Sequence, residues 1–416
     1  MSREIYIPAF APGKSPHPSP YISYGIPYPE ACVKHVSETF HASRVYILAS
    51  GALSRNTSDL PSLVSALESK MGKGSVVGIR KGILPHSHYS DILEVVKEAK
   101  TANTDILVTL GGGSLTDAAK VITLALANNA TTSDELETLY FDSPTLRDPL
   151  LPATVPIICI PTALCAGEYN PVADATNDET KHKQSFQHLS IGPRLVILSP
   201  ELSTTTPMHI WLSTGVRAVD HCVEAICSIA STDEGDANAA EGLRKLVPAL
   251  LATKQEPGKL EPRMQCLLGA KDAIGCNLMR IPMGASHGIG HQLGPLGVGH
   301  GETSCVLMPA VMRFNKSVNS AKQREVLKIL WGEVAVEDVL VKRGVEREGA
   351  DLADVLDAIF RELDLPRSLK EVGVGRDKLP ALSQGSLSYR WCKSNPVPLM
   401  ETEQVMEILK MVVGEQ

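Results

Sequence analysis

The chain has 416 residues, and at roughly 100–200 residues per domain this length suggests two or three domains with complete cores. Hydrophobic residues make up 43% and charged residues 21%, which excludes a wholly disordered, fibrous or small disulfide-stapled protein. The formal net charge is −7, the wrong sign for a sequence-independent grip on phosphate backbones. We therefore expect no nucleic-acid partner.

Membrane and export signals are not evident in the sequence. No stretch reaches the ~18 uninterrupted apolar residues of a membrane helix, and the N-terminus lacks the pattern of a secretory signal. We expect a cytoplasmic protein without a membrane partner. The nine cysteines form no Cys-x-x-Cys pair and several lie in apolar runs, so they predict reduced core thiols.

The first 30 residues form a Pro-rich segment. Residues 7–30 hold seven prolines, each of which removes a backbone donor and restricts its neighbour. This composition predicts extended coil at the start of the chain.

Short β-branched runs alternate with helical patterns from residue 44 to about residue 200. The runs predict strands at 44–50, 75–79, 105–110 and 155–161. The patterns between them predict helices near 58–71, near 89–102 and from residue 115. Almost continuously apolar strands separated by helices indicate a parallel sheet covered on both faces.

Helical periodicity dominates the rest of the chain. It predicts helices at 213–229, 236–253, 261–279, 303–315, 319–332, 350–363 and 401–413. The sequence therefore predicts an α/β domain over residues 1–200 and an all-helical domain over residues 201–416.

A strand, a triple glycine and a helix follow one another in DILVTL-GGGS-LTDAAK. Gly111, Gly112 and Gly113 allow a close approach of backbone and ligand, and the helix start offers N–H groups and a positive dipole end. Ser114 and Asp117 also have the spacing of a capping box. The segment thus predicts either a diphosphate site or a simple capped turn.

The predicted helix in TGVRAVDHCVEAICS (214–228) carries a polar stripe. The stripe consists of Arg217, Asp220, His221, Glu224 and Ser228. A solvent-exposed helix would explain it, whereas its shortness and its histidine favour the wall of a cleft. The sequence leaves both interpretations open.

Three histidines, His287, His291 and His300, fall within fourteen residues in a glycine-rich segment. Each one alone would more often be a packed or solvated histidine. Grouped neutral imidazoles, however, can bind a divalent ion or relay protons. The grouping therefore predicts a functional cluster.

Four of these segments resemble the iron-containing alcohol dehydrogenase family. They are LGGGSLTDAAK, IPTALCAGE, TGVRAVDHCVEA and SHGIGHQLGPLGVGHGETSCVLMPAVMRFN. Within the family the chain resembles the maleylacetate reductase branch and its less characterised relatives. The resemblance implies a dehydroquinate synthase-like fold, with an α/β Rossmann-like domain and an all-α C-terminal domain. It also implies NAD or NADP as cofactor, a small-molecule substrate and a homodimer.

The resemblance also implies which residues hold the cofactor. They are Ser50, Gly111, Gly112, Gly113, Ser114, Asp117, Thr162 and Lys183. Ser50 stands where many relatives carry an aspartate for the adenine ribose. With serine there and Arg55 nearby, nothing repels a 2′-phosphate, so NADP and NAD both stay open.

Metal-using relatives bind iron or zinc through one aspartate and three histidines. His221, His287 and His300 match the histidines, but Arg217 occupies the aspartate position. A permanent guanidinium would repel a divalent cation by on the order of several kcal/mol at ligand distance. Asp220 could pair with the arginine or replace the missing ligand, so metal binding stays open.

Three functional hypotheses follow. The first is a reductase that moves hydride from NAD(P)H to a carbonyl or conjugated alkene, with Arg217 and His221 or His287 stabilising oxygen charge and His291 delivering the proton. The second is an alcohol or polyol dehydrogenase with iron or zinc on the three histidines. The third is a non-redox isomerase, lyase or cyclase, suggested by CAGEYN at 165–170, which departs from the family pattern.

Overall fold

The structure is a computed structural model and describes residues 3–11 and 18–414. The chain forms two compact units, Met1–Thr205 and Thr206–Gln416. The first unit contains a parallel sheet with helices and the second is helical, which confirms the predicted fold class. The predicted domain boundary at residue 200 falls at the start of a short helix, Pro200–Ser203.

The first unit is built on a seven-stranded sheet and a separate two-stranded hairpin. Its strands are β1 Ile5–Pro8, β2 Tyr21–Tyr24, β3 Val45–Ala49, β4 Val76–Lys81, β5 Ile106–Gly111, β6 Ile157–Pro161, β7 Val172–Thr176, β8 Lys183–Gln187 and β9 Leu195–Ile197. Across the sheet the order is β1-β2-β9-β6-β5-β3-β4, and only β1 with β2 is antiparallel. The hairpin pairs β7 with β8.

Seven α-helices accompany these strands in the described residues of the first unit. They are α1 Tyr28–Lys34, which runs into a π turn at His35–Thr39, α2 Gly51–Asn56, α3 Asp59–Met71, α4 Tyr89–Thr101, α5 Gly113–Asn128, α6 Ser133–Glu137 and α7 Pro200–Ser203. Every residue of β3, β5 and β6 is buried, as expected for central strands covered on both faces. The four predicted strands and three predicted helices of this region are all present, within a few residues of their expected bounds.

The Pro-rich opening differs from its prediction. β1 and β2 pair with each other, and β2 joins the sheet through β9, so extended coil was wrong for these residues. Pro8 lies at the end of β1, where a missing N–H is tolerated, and Tyr6 stacks on Tyr21 with ring centroids 4.7 Å apart. Residues 12–17 of this segment lie outside the described part of the chain.

The second unit is a helical body, without strands in its described residues. Its helices are α8 Met208–Cys227, α9 Asp233–Gln255, α10 Leu260–Leu278, α11 Ala285–Leu293, α12 His300–Trp331, α13 Val334–Lys342, α14 Leu352–Glu362, α15 Leu379–Ser386, α16 Arg390–Lys393 and α17 Thr402–Val412. The helices expected at 303–315 and 319–332 correspond to the two arms of α12, which meet at a kink where the backbone of Asn319 is not helical (φ −120°, ψ 24°). α8 is the central helix, since every residue from Trp211 to Cys227 is buried.

Candidate functional site

The first unit places its glycine loop where open α/β sheets bind ligands. β3 lies between β4 and β5, so the strand order reverses there, and ligands bind beyond the carboxyl ends of strands at such a point. Ser50 directly follows β3, and its N–H donates to the Leu110 carbonyl at 2.9 Å. Thr162 directly follows β6, and its N–H donates to the Gly111 carbonyl at 3.2 Å. Two of the predicted cofactor residues therefore flank the glycine loop.

Gly111 has to be glycine for steric reasons. Its φ of +147° is a conformation that side-chain-bearing residues rarely adopt. A Cβ there would also lie 2.7 Å from Leu115 Cδ1 and 2.9 Å from Ser50 Cβ. This glycine lets the chain turn from β5 into α5 with Ser50 packed against it.

The next two glycines leave the start of α5 open. Gly112 is the N-cap residue and no side chain caps the helix, while Ser114 lies inside α5. A Cβ on Gly112 would approach only the Ala163 Cβ, at 4.0 Å, and a Cβ on Gly113 would meet nothing within 4 Å. The capped-turn interpretation is therefore wrong, and the uncapped helix start with space beside it fits a bound anion.

Asp117 and Lys183 lie within electrostatic reach of each other. Burial raises the pKa of Asp117, the charge of Asp174 adds to this, and the charges of Lys120 and Lys183 oppose it. Lys183, on β8, pairs with Asp174 at 3.2 Å and is about one-third exposed. Lys183 thus lies at an accessible position near α5, as a cofactor contact requires.

Lys120, which the motif contains but to which the sequence analysis gave no role, anchors the loop after β6. It is fully buried, and its Nζ donates to the carbonyls of Gly167 at 2.6 Å and Val172 at 2.7 Å. In this loop Glu168 is buried, and burial raises its pKa to about 7. The unusual 165–170 segment is therefore held by the same helix that begins at the glycine loop.

A strained loop before α4 supports α5 from the other side and was missed by the sequence analysis. His86 and Ser87 have φ values of 68° and 52°, in the left-handed region that non-glycine residues rarely adopt. The Ser87 hydroxyl donates to the Ser114 carbonyl at 2.9 Å. Composition gives no signal for this contact, because the strain depends on the packing of the loop.

In the second unit the polar stripe of α8 is entirely buried. Arg217 is 1% exposed and Asp220 0%, and the other three members are 2–6% exposed. The interpretation as a solvent-exposed helix is therefore wrong. Buried polar groups need partners, and most of the partners of this stripe come from the starts of α11 and α12.

Glu224 fixes the start of α11. Its carboxylate accepts the backbone N–H of Gly284 at 2.8 Å and that of Ser286 at 2.9 Å. His287 Nδ1 lies 2.8 Å from the same carboxylate. This contact orients the His287 ring and leaves its Nε2 available as the second ring nitrogen.

The histidines form two pairs. The rings of His221 and His287 stack with centroids 4.7 Å apart, and those of His291 and His300 meet edge to face at 6.0 Å. Burial and the charge of Arg217 lower the pKa of both His221 and His287, so both imidazoles are neutral. His221 Nδ1 and His287 Nε2 are buried and have no hydrogen-bond partner among the described residues.

Two aromatic residues complete this cluster and were missed from the sequence. The Tyr389 hydroxyl lies 2.6 Å from His291 Nδ1. Trp391 stands edge-on to His287 at 5.7 Å and to His291 at 5.2 Å. Both lie about a hundred residues after the histidines, and only the tertiary fold brings them together.

Comparison with known proteins decides the family. The family model for iron-containing alcohol dehydrogenase matches residues 26–200, and that for the Fe-containing alcohol dehydrogenase family, C-terminal, matches residues 211–413. The chain belongs to the iron-containing alcohol dehydrogenase family. It is accordingly an oxidoreductase.

Two similar curated proteins cover nearly the whole chain. Dehydrogenase FUM7 of Gibberella moniliformis is 35% identical over 97% of this chain and 98% of its own length. Dehydrogenase ALT3 of Alternaria alternata is 37% identical over 89% of this chain and 99% of its own length. Among solved structures, maleylacetate reductase from Agrobacterium tumefaciens matches with a TM-score of 0.73 and 22% identity, covering 99% of both chains. At 22% identity, the similarity to this solved structure shows a shared fold and nothing more.

Members of the iron-containing alcohol dehydrogenase family generally use NAD(P) and a metal. The uncapped start of α5, with open space beside Gly112 and Gly113, fits a dinucleotide diphosphate. No helix of the described residues has both the length and the apolar character needed to cross a membrane.

The donor set of the second unit does not fit a divalent metal ion. Among the described residues, the group whose ligand atoms lie within 4.8 Å of one another is Asp220, Glu224 and His287, so His221, His287 and His300 do not come together as the sequence suggested. His300 begins α12 and lies against His291 instead. The carboxylates already accept hydrogen bonds, and the Arg217 charge would oppose a second cation by on the order of several kcal/mol.

Proposed function

We propose that this protein is an NAD(P)H-dependent reductase of the maleylacetate reductase type. Its substrate would be small and acidic or enolic, with a carbonyl or a conjugated alkene as the reducible group. The observation that carries the proposal is the buried Arg217 guanidinium beside the stacked imidazoles of His221 and His287, whose ring centroids lie 4.7 Å apart. A fixed positive charge in a water-poor site stabilises negative charge that develops on a substrate oxygen.

The first unit would bind the dinucleotide. Its glycine loop and the first turn of α5 would hold the diphosphate, with Ser114, Asp117, Thr162 and Lys183 around it. The nicotinamide, when bound, supplies the hydride. These residues would orient the dinucleotide for transfer.

The cofactor preference would include NADPH. Ser50 uses its hydroxyl to cap α2, accepting the Leu53 N–H at 3.4 Å, so no carboxylate stands at this position. A Cβ on Gly51 would lie 3.1 Å from an Arg55 guanidinium nitrogen, which places that charge over the first turn of α2. A 2′-phosphate would meet this guanidinium, so we propose that NADPH serves at least as well as NADH.

The second unit would supply charge stabilisation and a proton. Arg217, with His221 or His287, would stabilise the substrate oxygen as it gains charge. His291 would deliver the proton, with the Tyr389 hydroxyl next to it at 2.6 Å. This distance permits direct proton transfer between the two side chains.

Tyr389→Phe should lower kcat about 100-fold, the lower end of the range that general acid–base groups contribute, because it removes the hydroxyl from His291 Nδ1. The phenylalanine ring would keep the packing of Tyr389 on His291 and Trp391, with centroids 4.9 and 5.6 Å away. We expect KM to change little and the pH profile of kcat to shift. Steady-state rates across pH measure this, with Tyr24→Phe as the control, and an unchanged kcat and profile would exclude Tyr389 from proton transfer.

The function itself is tested by following the nicotinamide absorbance. NADH and NADPH would each be mixed with maleylacetate and, separately, with an uncharged aldehyde. We expect turnover of the acidic substrate that survives treatment with a metal chelator. If neither cofactor is oxidised by any carbonyl substrate, the reductase proposal fails. Dinucleotide binding without turnover would then favour a non-redox reaction on this scaffold.

A further inference from the structure

Arg217 contributes a fixed cation where α8, α11 and α12 meet. Its Nη1 donates to Ser304 Oγ at 3.0 Å and lies 3.5 Å from Thr303 Oγ1, both on α12. On α11, a Cβ added to Gly290 would lie only 3.6 Å from the same nitrogen. Because the side chain is 1% exposed, its charge needs compensation within the protein.

Asp220 is the carboxyl group linked to this cation, one turn along the same helix. Burial and the charge of Glu224 raise the pKa of Asp220, and the Arg217 charge opposes this rise. Ser304, which accepts from Arg217, donates its own hydroxyl to Asp220 Oδ2 at 2.6 Å. Ser286 donates to the same oxygen, also at 2.6 Å. A hydrogen-bonded series therefore links Arg217, Ser304 and Asp220, and all three residues are buried.

The imidazoles beside this cation have the character of metal ligands. His221 Nδ1 and His287 Nε2 are buried without a hydrogen-bond partner among the described residues, and the Glu224 contact orients the His287 ring. Lone pairs of this kind bind zinc or iron when no cation is already present. Here the Arg217 charge acts on both rings.

We propose that the Arg217 guanidinium, linked through Ser304 to Asp220, stands in the place of the family's metal ion and keeps divalent metal away from His221 and His287. The positive charge of this site therefore comes from a side chain of the protein and not from a bound metal ion. One substitution at residue 217 should restore metal binding, and metal content can be measured independently of any reductase activity.

The experiment compares the metal content of the full-length wild type with that of Arg217→Asp. Each protein is incubated with zinc, or with ferrous iron without oxygen, desalted and measured by elemental analysis and titration calorimetry. We expect the wild type to retain almost none, and Arg217→Asp, whose new carboxylate would join His221 and His287 as a third ligand, to retain about one ion per chain. Adding His221→Ala to Arg217→Asp should remove that ion again. Arg324→Asp, at an exposed position on α12, is the control for an added carboxylate.

Two results would overturn the inference. One is a wild type that holds about one zinc ion per chain and loses it in His221→Ala. The other is a folded Arg217→Asp protein that takes up no more metal than the wild type. If Arg217→Asp does not fold, Arg217→Asn removes the charge alone, and its zinc affinity should rise at least about tenfold over the wild type. An unchanged affinity in that variant would equally overturn the inference.

Discussion

Gly112→Leu should weaken dinucleotide binding at least about a hundredfold, or roughly 2.7 kcal/mol, without unfolding the protein. The backbone at Gly112, with φ of −83° and ψ of −179°, is open to any residue. A Cβ there has only the Ala163 Cβ as a neighbour, at 4.0 Å. The rest of the leucine side chain would fill the space beside the uncapped start of α5 that we assign to the diphosphate. Titration with NADH and NADPH measures the loss.

Gly111→Ala is the matched control, because we expect it to destabilise the fold, whereas Gly112→Leu should block dinucleotide binding in a folded protein. Its Cβ would clash with Leu115 and Ser50 at 2.7 and 2.9 Å, at a φ of +147°. We expect about 2–4 kcal/mol of destabilisation, read from thermal or denaturant unfolding. Gly112→Leu should instead unfold at the wild-type temperature or slightly above it. Normal dinucleotide affinity in Gly112→Leu would contradict the assignment of this loop.

The architecture of the first unit follows from local signals. The sequence predicts β3, β5 and β6 because short apolar, β-branched runs are typical of buried strands. The helices between them are predicted by their helical periodicity. The two-stranded hairpin β7–β8 and the strands β1, β2 and β9 at one end of the sheet were not predicted. The parallel partner of β2 is distant in sequence, since Ile22 of β2 pairs with Val196 of β9, and the prolines around β1 and β2 argue against strands.

Glycine explains why the sequence pattern did not predict α11. Gly288 and Gly290 lower its helix propensity, but they let it pack closely on its neighbours. A Cβ on Gly288 would lie 2.5 Å from Cys392 Sγ, and a Cβ on Gly290 would lie 3.0 Å from Thr303 Oγ1. Tertiary packing stabilises this helix, whereas the sequence alone shows only the helix propensity that its glycines lower.

The candidate site shows the same division between local and tertiary information. The glycine loop and the polar stripe could both be found from residue spacing. The loop lies at the start of a single helix, α5, and the stripe lies along a single helix, α8. The sequence could not tell whether the stripe was exposed, since the answer depends on α11 and α12. It also grouped His300 with His221 and His287, whereas the fold places its ring against His291.

Arg217→Met should lower kcat for carbonyl reduction about 10²- to 10³-fold, the cost usually found when one donor to a developing oxyanion is removed. Methionine keeps much of the length and apolar volume of the arginine stem but carries no charge. Because the lost interaction would act mainly in the transition state, KM should change far less than kcat, for acidic and uncharged substrates alike.

Arg217→Lys keeps the charge but loses the planar guanidinium that reaches Ser304, so it should fall between the wild type and Arg217→Met. Removing the cation also removes a charge that opposes the burial-raised pKa of Asp220 and Glu224, so circular dichroism and unfolding curves must show that both variants are folded. If the substitution raised KM for acidic substrates alone and left kcat unchanged, Arg217 would bind a substrate carboxylate. Only a loss in kcat for both substrate classes places the guanidinium at the oxygen that gains charge during reduction.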